Sequence, residues 1–505
     1  MYRDYIEPAW SWPQVLLIAL LVVPALGAIV VALLPATRTR PAAITFAAVT
    51  FVLSVLPVLA RPADGGWFAY TPTDHTPLVP WIDLDLPWVP ALGLEFHLGV
   101  DGVSYPLIVL TGLLTVLCCA YTPKKGLAAL LLILEVGVLG TFLALDLILF
   151  FLFFEVVLLP MYAVIAGWGG PNRRAAARKF VLYTLAGSVL LLLGVLLVVT
   201  EAGTGDLIEL TGFPHLDRTT QCAAFALLAI AFAVKAPLWP LHTWLPDAHT
   251  EAPTVGSVIL AGVLLKMGTY GLIRVGLGVA PDGAAWASPV LGILAVIAII
   301  AGALICLRQT ELKRLIAYSS VGHMGFVLLG IATLSIAGIQ AALLGNVAHG
   351  LITGLLFFLA GTIKERAGTG SLNQLSGLRE TAPRLAGLFG FAAIASLGLP
   401  GLAGFWGEAF AVIAAVDRGG PLWLTLAAIA AIGGALTAAY FLRLLRRVTH
   451  GPATPEVRLV APAISGTEWL AWSPLILLTL AVGVAPALVL SGTELPLTTL
   501  LGIRP

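Results

Sequence analysis

Residues 231–249 read AFAVKAPLWPLHTWLPDAH, which begins like the middle of a membrane helix and then breaks its rules. Lys235 lies in an apolar run, two residues before Pro237, with Pro240 and His242 close behind. A proline has no amide proton and its ring clashes with the carbonyl four residues back, here those of Ala233 and Ala236. Carbonyls left unpaired in hydrocarbon are costly, so irregular backbone at that depth survives only beside protein or a watery cavity. A lysine at the centre of a span costs about 2.5–3.5 kcal/mol on insertion scales. The combination marks a place where a membrane helix opens to polar chemistry.

The rest of the chain supplies the membrane. Its 505 residues are 59% hydrophobic and only 10% charged, with a mean hydropathy of +1.00. A water-soluble chain of that length needs more charge to cover its surface, so lipid is the solvent. A net charge of +1 argues against nucleic-acid binding, which needs a basic face. The start, MYRDYIEPAW, lacks the basic region and cleavage site of a secretory signal, so the first apolar segment is expected to be a retained span. No CxxC pair occurs; Cys118, Cys119 and Cys306 lie in apolar runs and Cys222 opens another, which suits small buried hydrophobes.

Spanning takes about 20 apolar residues. That ruler predicts an all-α polytopic protein with fourteen transmembrane helices: 15–34, 41–60, 104–120, 127–145, 147–168, 180–200, 222–245, 252–276, 287–307, 315–333, 336–362, 385–416, 421–442 and 470–491. With the N-terminus outside, most Lys and Arg fall on inner segments, among them Arg173, Arg174, Lys179, Lys313, Arg314, Lys364, Arg366 and Arg446. Arg274 is counted on the outer side, near a span end. The longest outer segment, 61–103, carries Asp64, Asp74, Asp83, Asp85, Glu95 and Asp101, with Trp67, Trp81 and Trp88 suited to the interface. No GxxxxGK[ST] nucleotide loop is present, and the many glycines lie inside spans, where close helix packing explains them.

Against this apolar background the mid-span ionisable residues stand out: Glu155, Lys235, Lys266, His323, His349 and Glu408, with Glu135 similarly deep. Static ion pairs could glue a bundle, but lone titratable groups at similar depth in separate spans point to proton or cation transfer. A second break, Pro400 between Gly398 and Gly401, precedes Glu408 as the first follows Lys235. Paired broken segments are the sequence pointer to a transport route built from repeats. A lysine whose carboxylate partner moves away can lose its proton, and a neutral histidine accepts at one nitrogen while donating from the other. Accessory candidates are His242, a relay or a partner for freed carbonyls; Asp146, a helix cap or a proton-uptake group; and Lys313, an inner-side route or a topology charge. Asp247, His249 and Glu251 read as capping and solvated groups of an inner connection. A zinc site from His242, Asp247 and His249 lacks the HExxH spacing, so no metal and no cofactor site is expected in this chain.

Four stretches carry a resemblance: LALDLILFFLFFEVVLLPMY (143–162), KAPLWPLHTWLPDAHTEAPTVGSVILAGVLLKMGTYG (235–271), LKRLIAYSSVGHMGF (312–326) and ASLGLPGLAGFWGEAF (395–410). The chain resembles the antiporter-like membrane subunits of respiratory complex I, the proton-pumping NADH–quinone oxidoreductase, and among them the M type. The resemblance implies three N-terminal helices and an outer loop over 1–126, a first repeat over 127–276 forming an input half-channel, and an inverted five-helix repeat over 287–447 forming the output. A C-terminal helix and tail fill 448–505. It implies that Glu155 pairs with the pumping Lys235, that Lys266 connects, that His323 and His349 lie on the central axis, and that Glu408 ends the route. Glu135 has no place in that pattern. Glu408 itself separates the M type from the N type, which typically has lysine there, and the L type adds a long C-terminal lateral helix. FMN, iron–sulfur clusters and quinone (ubiquinone or menaquinone) are implied only in partner subunits. The implied partners are L-type and N-type membrane chains and an NADH-oxidising peripheral arm, in a bacterial inner membrane. Two alternatives stand beside it: a subunit of a multi-subunit Na+/H+ antiporter, and a non-pumping scaffold.

Overall fold

Among the described residues of the computed structural model, twelve helices are long and apolar enough to cross a membrane. The described residues are 11–61, 80–89, 94–122, 124–211, 216–493, 497, 500 and 501. The chain is a multi-pass, mostly helical membrane protein. The two remaining expected spans are a 17-residue apolar helix, Tyr105–Tyr121, and a broken pair, Pro383–Ser396 and Ala403–Arg418.

Burial sorts the helices into core and rim. Thr254–Leu277 is buried over 100% of its apolar window and Ile336–Ala367 over 94%, whereas Ala36–Ala60 is buried over 28% and Gly420–Thr449 over 33%. The helices that carry Lys266, His323 and His349 are therefore interior ones, shielded from lipid by the rest. Small residues let them approach closely. A Cβ on Gly407 would lie 2.5 Å from the Gly345 Cα, and one on Gly268 would lie 2.7 Å from the Ala236 nitrogen.

Several spans depart from the simple ruler, each for a local reason. The predicted span 222–245 is instead a helix, Arg218–Lys235, then turns through 236–243 and a second helix, Trp244–Glu251. Asp217 caps its start by accepting from the Thr220 amide at 2.7 Å. The predicted span 147–168 divides at Val157 into Leu147–Val156 and Leu158–Trp168, where the ring of Pro160 displaces the Val156 carbonyl. Thr254–Leu277 contains two wider π-helical stretches, Leu260–Leu264 and Leu272–Leu277. At the second proline break, 397–402, Gly398 and Gly401 take φ of +82° and +90°, which side chains with a Cβ rarely adopt.

The segment before Tyr105 adds two small antiparallel pairs that a helical ruler does not foresee. Ile82–Leu84 pairs with Leu98–Val100, and Pro87–Val89 pairs with Leu94–Glu95. Trp81 packs on Tyr105 with ring centroids 5.3 Å apart, and Trp88 is exposed. Trp67, Asp64, Asp74 and the stretch 1–10 lie outside the described residues. Arg274 corrects the reading of an outer-side flanking charge: its guanidinium is buried, hydrogen-bonded to Asp101 and to the Tyr270 hydroxyl. Cys118, Cys119 and Cys306 are buried free thiols, while Cys222 is only half-buried.

Candidate functional site

The first break is built from inside the chain. Lys235 closes its helix, and Pro237 cannot supply the next amide. The Ala233 carbonyl is instead met by the Leu238 amide at 2.9 Å, and the Val234 carbonyl by the Trp244 indole NH at 3.0 Å. Lys235 is 4% exposed, and its Nζ lies 4.5 Å from the centroid of the Phe154 ring. Such a cation–π contact in a dry setting is worth about 2 kcal/mol.

Glu155 does not form the ion pair expected of it. Its carboxylate accepts from the Ser188 hydroxyl, and among the described residues no salt bridge joins it to Lys235. The helix division at Val157 and the ring of Phe154 explain the difference, because the aromatic face occupies the position beside the ammonium. Glu155 remains close enough to act on Lys235 through space.

Further along, the predicted residues come together. Lys266 is fully buried; its Nζ donates to the Ala261 carbonyl at 2.5 Å and lies 2.7 Å from Nδ1 of His349. The π-helical stretch Leu260–Leu264 makes the first contact possible, since it loosens the backbone around a carbonyl five residues before the lysine. The rings of His349 and His323 meet edge-on with centroids 5.8 Å apart. His323 is held at both nitrogens: Nδ1 is 2.6 Å from Oε1 of Glu408, and Nε2 is 3.0 Å from the Ser396 hydroxyl. A cavity is lined by His323, His349, Thr353, Ser396, Gly404 and Glu408. The second helix break therefore opens beside the glutamate, and four predicted residues form one polar series. No hydrogen bond joins Lys235 to Lys266; the helices touch where Gly268 meets the backbone of Phe232 and Ala236.

The accessory residues separate. Asp146 is a helix cap, accepting from the Leu149 amide at 2.8 Å, and is remote in sequence and contacts from the series. Lys313 is 3% exposed and donates to the Ala252 carbonyl at 2.7 Å, so it is not a solvated topology charge. His242 does not serve the freed carbonyls: its Nδ1 has no partner, and its ring meets Tyr318 at 6.2 Å. Glu135 is buried with neither carboxylate oxygen partnered, apart from the series. Asp247 pairs with Lys179 at 2.7 Å and Arg314 at 3.1 Å, and Glu251 accepts from the Asn172 amide. His249 overturns the reading of a solvated group. It is fully buried, stacked on Phe357 at 4.5 Å, with both ring nitrogens unpartnered.

Four polar residues at the site escaped the sequence reading: Ser188, Ser396, Thr269 and Asn346. Thr269 donates to Asn346 Oδ1 at 3.0 Å, three residues after Lys266 and three before His349 respectively. That i, i+3 spacing to an ionisable residue on an interior helix is the signal that finds Thr269 and Asn346; Ser188 and Ser396 carry no such signal.

Fold and site together define a polytopic membrane protein whose core helices carry an ionisable series between two helix breaks. Residues 144–436 match the family model described as NADH:quinone oxidoreductase/Mrp antiporter, TM, and the chain belongs to that family. It is 46% identical over 382 residues to NAD(P)H-quinone oxidoreductase chain 4 1 of Synechococcus sp. (strain JA-3-3Ab), covering 74% of this chain and 72% of that one. It is 41% identical over 422 residues to NADH-quinone oxidoreductase subunit M of Rhodobacter capsulatus, covering 80% and 81%. A chain of respiratory complex I from Thermus thermophilus superposes with a TM-score of 0.84 at 31% identity, covering 96% of this chain and 99% of that chain.

Proposed function

We propose that this chain is an M-type, proton-translocating membrane subunit of an NADH–quinone oxidoreductase. The observation that carries the reading is the series Lys266–His349–His323–Glu408, polar contacts at both ends joined by an edge-on contact between the two imidazoles. Electron transfer through FMN, iron–sulfur clusters and quinone takes place in partner subunits, which include L-type and N-type chains and a peripheral arm. Their state shifts Glu155 relative to Lys235 and sets the charge on the lysine. The proton then passes by Lys266 and the two histidines to Glu408 and the outer face.

The architecture we infer with it is fourteen spans with the N-terminus outside, in a bacterial inner membrane. Residues 127–276 and 287–447 act as inverted repeats, the first for uptake and the second for release. His242, Lys313 and His249 lie on the inner side of the first break, where uptake groups are needed. Asp146 serves as a cap rather than a carrier.

Membrane vesicles holding the assembled complex test this. Lys235→Ala is expected to lower both NADH oxidation and proton uptake while leaving the subunit composition intact. A normal proton yield per NADH in that variant overturns the role, and a particle lacking NADH dehydrogenase activity altogether favours the antiporter alternative.

A further inference from the structure

The paired strands before Tyr105 gather an excess of negative charge. Asp83, Asp85 and Glu95 come from this segment, while Asp146 and Asp206 cap the helices Leu147–Val156 and Leu207–Leu210. One imidazole, His97, sits among them, 4% exposed. Among the described residues no Lys or Arg forms an ion pair with any of these five carboxylates, and residues 62–103 contain neither Lys nor Arg. Asp146 is 1% exposed, and its Oδ2 has no partner although it lies within electrostatic reach of His97 and Asp206.

The geometry around His97 is that of a ligand set. One donor atom each from Asp85, Glu95 and His97 lies within 4.8 Å of the others. Nδ1 of His97 is 2.5 Å from Asp206 Oδ2, and Nε2 is 3.2 Å from Asp83 Oδ2. A carboxylate on one ring nitrogen fixes the proton there, as in carboxylate–histidine–metal triads, and an ion on the other nitrogen would take the place of its contact with Asp83.

We propose that Asp85, Glu95 and His97 bind one divalent first-row transition cation, with Asp206 orienting the histidine and Asp83 beside it. Imidazole selects such ions over calcium or magnesium, and the carboxylates supply the charge that neutralises the cluster. Asp85 is exposed and Glu95 half-buried, so both can close the remaining distance. The ion ties the strand pair Pro87–Val89 and Leu94–Glu95 to the helix beginning at Leu207. This site stands apart from the proton-transfer series and does not depend on it.

Zn2+ titration of the chelator-stripped, assembled complex by calorimetry is the test, comparing the unaltered chain with Asp85→Asn combined with Glu95→Gln. The expected result is one extra saturable site per chain in the unaltered complex, and at least about a tenfold loss of its affinity in Asp206→Asn. Both carboxylates of the double variant reach solvent, and matching thermal melts of the stripped complexes show that the fold is kept. Equal Zn2+ binding in the unaltered and double-variant complexes overturns the proposal. Saturable Ca2+ binding that Zn2+ does not displace overturns the choice of ion.

Discussion

Lys266 Nζ and His349 Nδ1 lie 2.7 Å apart across two interior helices, a direct side-chain link between the half of the chain that carries Lys235 and the half that carries Glu408. The ammonium has one other partner, the Ala261 carbonyl, in a site with no solvent exposure. Charge can leave this position most directly by passing to the imidazole.

Replacing His349 with leucine therefore isolates Lys266 from His323. Proton pumping in vesicles is expected to fall by about 10²-fold or more, the usual contribution of a positioned acid or base. Quinone-independent NADH oxidation by the complex should be unaffected, because that chemistry lies elsewhere.

Glu408→Gln keeps the shape and an oxygen beside His323 Nδ1 but removes the carboxylate that can take the proton, and should abolish most pumping without loss of assembly. Ser396→Ala removes only the contact at Nε2, and a loss of less than about tenfold is expected, measured as proton uptake per NADH.

Gly268→Ala places a Cβ 2.7 Å from the Ala236 nitrogen and 2.8 Å from the Phe232 carbonyl oxygen. Both neighbours are backbone, so relief requires the helices to part, at about 1–3 kcal/mol. Thermal melting of the complex should drop for Gly268→Ala and stay unchanged for Gly387→Ala, where nothing lies within 4 Å.

Asp101→Asn leaves the buried Arg274 guanidinium without its counter-charge, which costs about 3–5 kcal/mol. Combining it with Arg274→Met should recover much of the lost thermal stability. Failure of the double variant to recover argues that the pair does more than balance charge.

The parts of this molecule that were legible in the sequence are those where composition and backbone chemistry act alone. Apolar runs locate the helices, and Pro237 and Pro400 locate two breaks, because a missing amide has the same effect in any fold. Lys266, His323, His349 and Glu408 were legible as candidates because charge in hydrocarbon is rare. Partners were not. Phe154 stands where Glu155 was expected to reach Lys235, and His249 is buried although its neighbours Asp247 and Glu251 are polar, since tertiary packing decides both. The π-helical stretches around Lys266 carry no proline or glycine pair to announce them. The strand pairs near His97 are two or three residues long, too short for a periodicity to register.

His323 is gripped at both ends, Nδ1 by Glu408 and Nε2 by Ser396. A neutral imidazole that takes a proton on one nitrogen and surrenders the one on the other finishes in the opposite tautomer. With neither nitrogen free, the ring must swing or hand a proton back before it can serve again. Under the proposed function the residue would work as a turnstile, admitting one charge per reset and tying proton delivery to conformational cycling.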